Sequence, residues 1–209
     1  LAFEPVCSLD AARFRLPLIT AVDRLLTRHK APVRVVDPPG LVRGTPAAEL
    51  LEALVQQGGV DLVVAVVETG RAVPLARELS GLSLEVRTLS CAHHAHRPSW
   101  QVRASSRTHL WNAHLANAIE RVVQLKTTPV LGTPPPIDVP GAWHGRQVGL
   151  VDEGDACDLG EVVALEGCQL RVRSTAAGSA ALRYILVRDA VRDATGYLVT
   201  AKRFAQATS

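Results

Sequence analysis

Asp61-Leu-Val-Val-Ala-Val-Val67 is an almost unbroken apolar run of strand length, and it restricts the fold more than any other stretch. It lacks period-2 alternation, so it fits a parallel strand covered on both faces better than a hairpin strand with one wet side. Parallel strands need a crossover element between them. Helical candidates flank the run. Residues 14–29 place Leu18, Ile19, Val22, Leu25 and Leu26 on one helical face, with Pro17 tolerable in the first turn. Thr45-Pro46 opens a second helix, Leu50, Leu51, Leu54 and Val55 form its apolar stripe, and Gly58-Gly59 stops it. A short helix is expected from Val73 to Leu79. Val33–Val36 and Leu82–Val86 read as further strands, the first beside Leu62–Val67 and parallel to it. This βαβαβ rhythm predicts a doubly wound α/β layer with helices on both faces.

From Cys91 the character changes. Cys91-Ala-His-His-Ala-His-Arg97 is a polar, histidine-rich loop, and residues 99–123 read as an unusually polar helix carrying Arg103, Arg107, His109 and His114. Residues 127–140 contain five prolines, too many for a regular element, and are expected to be a linker. Short β segments follow at 147–151, 160–165, 169–173, 183–187 and 197–202, with Glu166-Gly167 and Thr195-Gly196 as turns. The expected organisation is therefore an α/β part over 1–126 with a lid at about 91–121, a linker over 127–140, and a small β-rich domain over 141–209.

Bulk properties narrow the classes. Hydrophobic residues make up 47% of the 209, enough for a core, but aromatics are only 4%, so aliphatic packing must fill it. A formal net charge of +3 argues against wholesale electrostatic nucleic-acid binding and leaves room for a local basic patch. No apolar run is long enough to span a bilayer, so no membrane partner is expected. Cys7, Cys91, Cys157 and Cys168 form no C-x-x-C pair, and no secretory signal is visible. They read as reduced thiols in a cytoplasmic protein. The chain has no methionine and begins with Leu1, which leads us to expect the C-terminal part of a longer protein.

Val33-Arg34-Val35-Val36 delivers Asp37 and then Pro38-Pro39-Gly40. A strand ending in D-x-x-G is how phosphate-handling α/β proteins present a carboxylate to Mg²⁺ and a backbone N–H to a terminal phosphate. Its usual partner, G-x-x-x-x-G-K-[ST], is absent: the lysines are Lys30, Lys126 and Lys202, and none follows such a loop.

The order of these features resembles the polynucleotide 5′-hydroxyl kinases of the P-loop superfamily, the RNA kinases of tRNA splicing, mRNA 3′-end cleavage and rRNA processing. Asp37-Pro38-Pro39-Gly40-Leu41-Val42-Arg43-Gly44 is similar to that family's D/N-T-x-G-W/L-V-x-G, with Pro38 in place of the threonine. Glu49-Leu50-Leu51-Glu52-Ala53-Leu54-Val55 is similar to its E-L-L-x-x-L-I helix, and Val60–Val66 to its P-D-x-V-V-x-L strand. Arg97, Arg103 and Arg107 resemble its arginine-rich lid. The resemblance runs from about Leu16 onward and implies a partial P-loop NTPase-like parallel sheet followed by a small β-rich domain. It implies transfer of the ATP γ-phosphate, with Mg²⁺, to a polynucleotide 5′-OH end, RNA more readily than DNA. Without a phosphate loop, this chain by itself is expected not to turn over ATP.

Each candidate has a plainer reading beside it. Asp37 is either a Mg²⁺ contact or a turn aspartate, and Gly40 either a nucleotide contact or turn geometry. Arg103 and Arg107, four apart on a helix, either clamp phosphoryl oxygens together with Arg97 or form a solvated face. Trp100 and Trp111 either stack substrate or pack in the core. Cys91, His93, His94 and His96 offer zinc ligands within six residues but no second ligand segment, so a loop is the expectation. Arg171, Arg173 and Arg183 make either an RNA-facing basic surface or a polar outer face. Two further functions stay open. One is a catalytically silent nucleic-acid-binding or scaffold homologue. The other is a different P-loop NTPase, such as a metal-insertion or cofactor-assembly GTPase.

Overall fold

Two apolar helical stripes close on each other at the start of the chain. In the computed structural model, which describes residues 3–92, 95, 98–152, 157–175 and 181–202, helix α1 spans Arg15–Arg28 and α2 spans Thr45–Gly58. They pack together, burying Ala21, Ala47, Leu50 and Leu54, and Arg15 pairs with Glu49 at 2.7 Å. Gly59 ends α2 in the left-handed region, at φ 56°, where the absence of a Cβ removes the steric cost.

Strand β1 (Leu62–Val67), helix α3 (Ala76–Gly81) and strand β2 (Glu85–Ser90) form a parallel pair in register from Leu62↔Glu85 to Val67↔Ser90. Both α3 and β2 begin about three residues later than the pattern predicts. Pro74 and a left-handed Leu75 precede the helix. Leu82 and Leu84 are used in the turn, where Leu84 N–H donates to the Leu82 carbonyl at 2.9 Å.

Three expectations for this part need correction. Val33–Val36 forms no strand: it is an exposed, irregular segment, fenced by Pro32 on one side and Pro38-Pro39 on the other, which supply no ladder N–H. The parallel neighbour of β1 is therefore β2, and Asp37 does not sit at a strand's carboxyl end. Nor is β1 covered on both faces. Its residues alternate between exposed and half-buried, and β2 is exposed throughout.

The second compact unit joins residues 3–10 to the described residues from 98 onward, while 11–97 make up the first. Helix α4 covers Trp100–His114 and is followed by a 3₁₀ turn over Leu115–Asn117. The helix expected to reach residue 123 thus stops nine residues early. Ile119, Val122 and Val123 favour the extended state, and Ile119–Gln124 is strand β3. Strand β4 (Val130–Gly132) lies inside the expected linker. The chain then runs through β5 (Arg146–Asp152), β6 (Cys157–Glu166), β7 (Gln169–Ser174), β8 (Leu182–Arg192) and β9 (Leu198–Thr200).

The resulting sheet has seven strands in the order β3-β7-β6-β5-β8-β4, with β9 on β8. Every pairing is antiparallel except β4 with β8. The β part is thus larger than the small module expected over 141–209, since residues 119–132 belong to its sheet. Val123, Trp143, Val148, Leu150, Val162, Leu170, Val172, Ile185 and Val187 fill its core. Trp143 is 1% exposed and donates its indole N–H to the Pro136 carbonyl at 3.0 Å, which ties the proline-rich segment down. Residues 3–10 strap this sheet: Ala190 N–H donates to the Cys7 carbonyl at 3.2 Å, and Arg188 donates to the Val6 carbonyl. The molecule is thus mixed α/β, with a two-stranded parallel sheet and a mostly antiparallel seven-stranded one. Among the described residues no helix is long and apolar enough to cross a membrane.

Candidate functional site

Helix α4 carries most of the predicted site. Ser99 starts it, its hydroxyl accepting from Val102 N–H at 3.2 Å and so satisfying one of the free amides of the first turn. Arg103 and Arg107 lie one turn apart and are both half-buried. Arg107 Nε is buried without a hydrogen-bond partner among the described residues. Trp100, 56% exposed, is free to stack.

Trp111 is 6% exposed and belongs to the packing. It clusters with Leu115 and Leu198, flanked by Leu9, Ala118 and Leu159, and stacks on His114 with ring centroids 5.1 Å apart. Its indole N–H donates to Glu161 Oε2 at 2.7 Å. Buried indole needs such a partner, so the substrate-stacking reading of Trp111 gives way to anchoring.

Glu161, on β6, is 6% exposed and sits between cations. Arg192 donates to it from Nη2 at 2.8 Å and Arg173 from Nη2 at 3.0 Å. Arg192 Nη2 also reaches Asn112 Oδ1 on α4 at 2.9 Å. Leu198 N–H donates to Thr108 Oγ1, again at 2.9 Å. The sequence reasoning passed over Glu161, Arg192 and Asn112. One signal was there to read: Gly160-Glu161-Val162-Val163 puts a carboxylate inside an apolar strand, where charges survive only when paired.

The other candidates are dispersed. Asp37 and Gly40 belong to the first compact unit and are exposed. A Cβ built on Gly40 would meet nothing within 4 Å. Among the described residues no group of three or more His, Cys, Asp or Glu side chains is placed to hold a metal ion. Mg²⁺ is commonly held by one or two carboxylates with waters and substrate phosphates, and the exposed Asp37 carboxylate offers one such ligand. Arg97, His93, His94 and His96 lie outside the described residues. Cys91 is half-buried and donates its backbone N–H to the Val67 carbonyl at 2.7 Å.

On the sheet, Arg171 binds Glu120 at 2.6 Å and Glu166 at 3.1 Å, and Arg173 binds Glu161. The hydrogen bond from Arg171 holds the Glu120 carboxyl below its usual range, against the opposing effect of burial. Arginines neutralised in this way make a polar face and not a phosphate-binding stripe. A last feature is an open cleft of about 480 Å³ at the ends of α1 and α2, lined by Asp23, Lys30, Arg34 and Gly58-Gly59. Its two cations sit by helix C-termini, whose dipoles favour positive charge and disfavour a bound anion.

No protein-family model matches the chain, and no curated protein matches it.

Proposed function

We propose that this chain serves, within a longer protein, phosphoryl transfer from ATP to a polynucleotide 5′-hydroxyl end. In this reading α4 is the arginine-bearing element of a P-loop kinase. The observation that carries it is the parallel β1–β2 pair bridged by α3. A hairpin there would have been incompatible with a doubly wound nucleotide-binding layer, and the exposed valines of β1 are what a strand of a larger sheet would present. ATP is the cosubstrate, with Mg²⁺ supplied alongside its phosphates, and the phosphate loop comes from outside these residues. Within the chain, Arg103 and Arg107 are assigned to the charge on the transferred phosphoryl group, and Trp100 to the acceptor strand. A guanidinium that acts where charge redistributes raises kcat and not affinity alone.

The test is steady-state kinetics of the full-length protein on a 5′-OH oligoribonucleotide. Arg103→Ala or Arg107→Ala should lower kcat by about 10³-fold while changing the KM for ATP far less. Both variants keeping wild-type kcat would remove the assignment of α4. Of the second reading, a catalytically silent nucleic-acid-binding or scaffold homologue, the scaffold form is favoured by the pairing of Arg171 and Arg173 with carboxylates and by the anchoring of Trp111. It predicts that the full-length protein transfers no phosphate to the oligonucleotide.

A further inference from the structure

Helix α4 is held to its sheet by few fully buried apolar groups for its length. Its buried positions are Ala104, Thr108 and Trp111, two of them small or polar, and its apolar cluster adds only Leu115 and Leu198 as buried members. The remaining attachment is polar: Leu198 N–H donates to Thr108 Oγ1 at 2.9 Å and His114 Nε2 lies 3.1 Å from the Leu159 carbonyl, while the ties from Trp111 and Asn112 converge on one carboxylate. Glu161 accepts from Trp111 Nε1 at 2.7 Å, from Arg192 Nη2 at 2.8 Å and Nε at 3.0 Å, and from Arg173 Nη2 at 3.0 Å. Arg192, oriented by this carboxylate, also takes Asn112 of α4 and the Gly196 carbonyl, each at 2.9 Å. Both side-chain ties from Trp111 and Asn112 therefore pass through Glu161 or through the arginine that Glu161 orients.

We propose that Glu161 is a positioning residue: it latches α4 to the sheet and thereby fixes where Arg103 and Arg107 stand. The consequence for Arg103 and Arg107 rests on the kinase reading above; the latch itself does not. A buried carboxylate satisfied by an indole and two guanidiniums is replaced poorly by an amide. Glu161→Gln keeps the shape, but it removes the charge and turns two acceptor lone-pair sites into N–H donors that face other donors. The sheet has its own core in Val148, Leu150, Val162, Val172, Ile185 and Val187, which does not depend on α4. Loss of the latch should therefore loosen the helix, which keeps its Thr108 and His114 ties, and leave the sheet folded.

Hydrogen exchange on the purified 209-residue chain tests the latch. In Glu161→Gln the amides of residues 104–114 should exchange about 10-fold faster or more, while those of β5 and β8 stay within about twofold of wild type. Trp111→Phe, which keeps an aromatic ring but loses the N–H donor, should shift the same amides in the same direction by less. It decides the matter if Glu161→Gln does not fold. Unchanged exchange over α4, or helix and sheet losing protection together, overturns the proposal. In the full-length protein Glu161→Gln should lower kcat with the KM for ATP within about twofold, the pattern of a displaced transition-state group. A wild-type protein that transfers no phosphate ends the kinase reading and leaves exchange to decide on the latch. An active wild type with normal kcat in Glu161→Gln removes the positioning role.

Discussion

Asp193 shows how one side chain stabilises a turn and makes it sensitive to pH. Its Oδ1 accepts from the Thr195 hydroxyl at 2.6 Å and from the Thr195 and Tyr197 amides at 3.0 Å each. The Thr195 hydroxyl is the main reason the carboxyl is held below its usual range, with burial opposing and the backbone amides adding to it. These bonds favour the ionised form, so their contribution is fully present above the ordinary carboxylate range. It is lost as pH falls through the depressed folded-state value. Asp193→Ala should lower the melting temperature near neutral pH, and the gap to wild type should close in acid. A gap that stays constant down to pH 2 would rule out the carboxylate as its source. Arg146 illustrates the opposite case, a guanidinium pushed down by burial and only partly supported by Asp189. It spends its donors on the carbonyls of Ala142 at 3.1 Å and Arg188 at 2.9 Å.

At the scale of elements, two glycines on the sheet decide what packs where. Gly132 ends β4 at φ 98°, and a Cβ there would lie 2.2 Å from the Val187 carbonyl oxygen. No rearrangement short of breaking the β4–β8 pairing relieves that contact. Gly149 on β5 lets the strap of residues 3–10 lie flat, because a Cβ there would come within 2.6 Å of Pro5 Cβ. Gly149→Ala should therefore cost about 1–3 kcal/mol, the range for forcing extra volume into a packed site. Removing residues 1–10 in the Gly149→Ala background should then add little further loss. Denaturant titration of the two variants and their combination measures this coupling, and strict additivity would mean that the strap is not what the methyl displaces.

Across the whole molecule, burial is uneven. The β unit holds fully buried Val148, Leu170, Val172, Ile185 and Val187, each at 0% exposure, whereas the α/β unit leaves Val64 at 46% and Val66 at 63% exposed on β1. Backbone hydrogen bonds that lack apolar cover open first. Native-state hydrogen exchange should therefore find β1 and β2 exchanging well before β5, β6 and β8. Equal protection in the two sheets would mean that the α/β layer is covered in solution by something these residues do not supply.

The sequence alone determined α1, α2 and β1, because each carries a full local pattern: an apolar stripe with a proline start or glycine stop, or a strand-length apolar run. It also placed β5, β6 and β7 to within three residues and the start of β8, though not its last five residues, since alternation and the Glu166-Gly167 turn are local signals. It misplaced Val33–Val36, whose strand-like composition says nothing about whether an edge exists to receive it. It ran α4 on to residue 123, where β-branched residues answer to a neighbouring strand, β7. Arg103 and Arg107 were legible as a pair because their spacing of four puts them on adjacent turns of one helical face. Glu161, Arg192 and Asn112 were not, since they come together only when residues 112, 161 and 192 meet across a sheet. Whether a charge is a surface ornament or a buried latch depends on what the fold brings to it, and only the tertiary structure decides that.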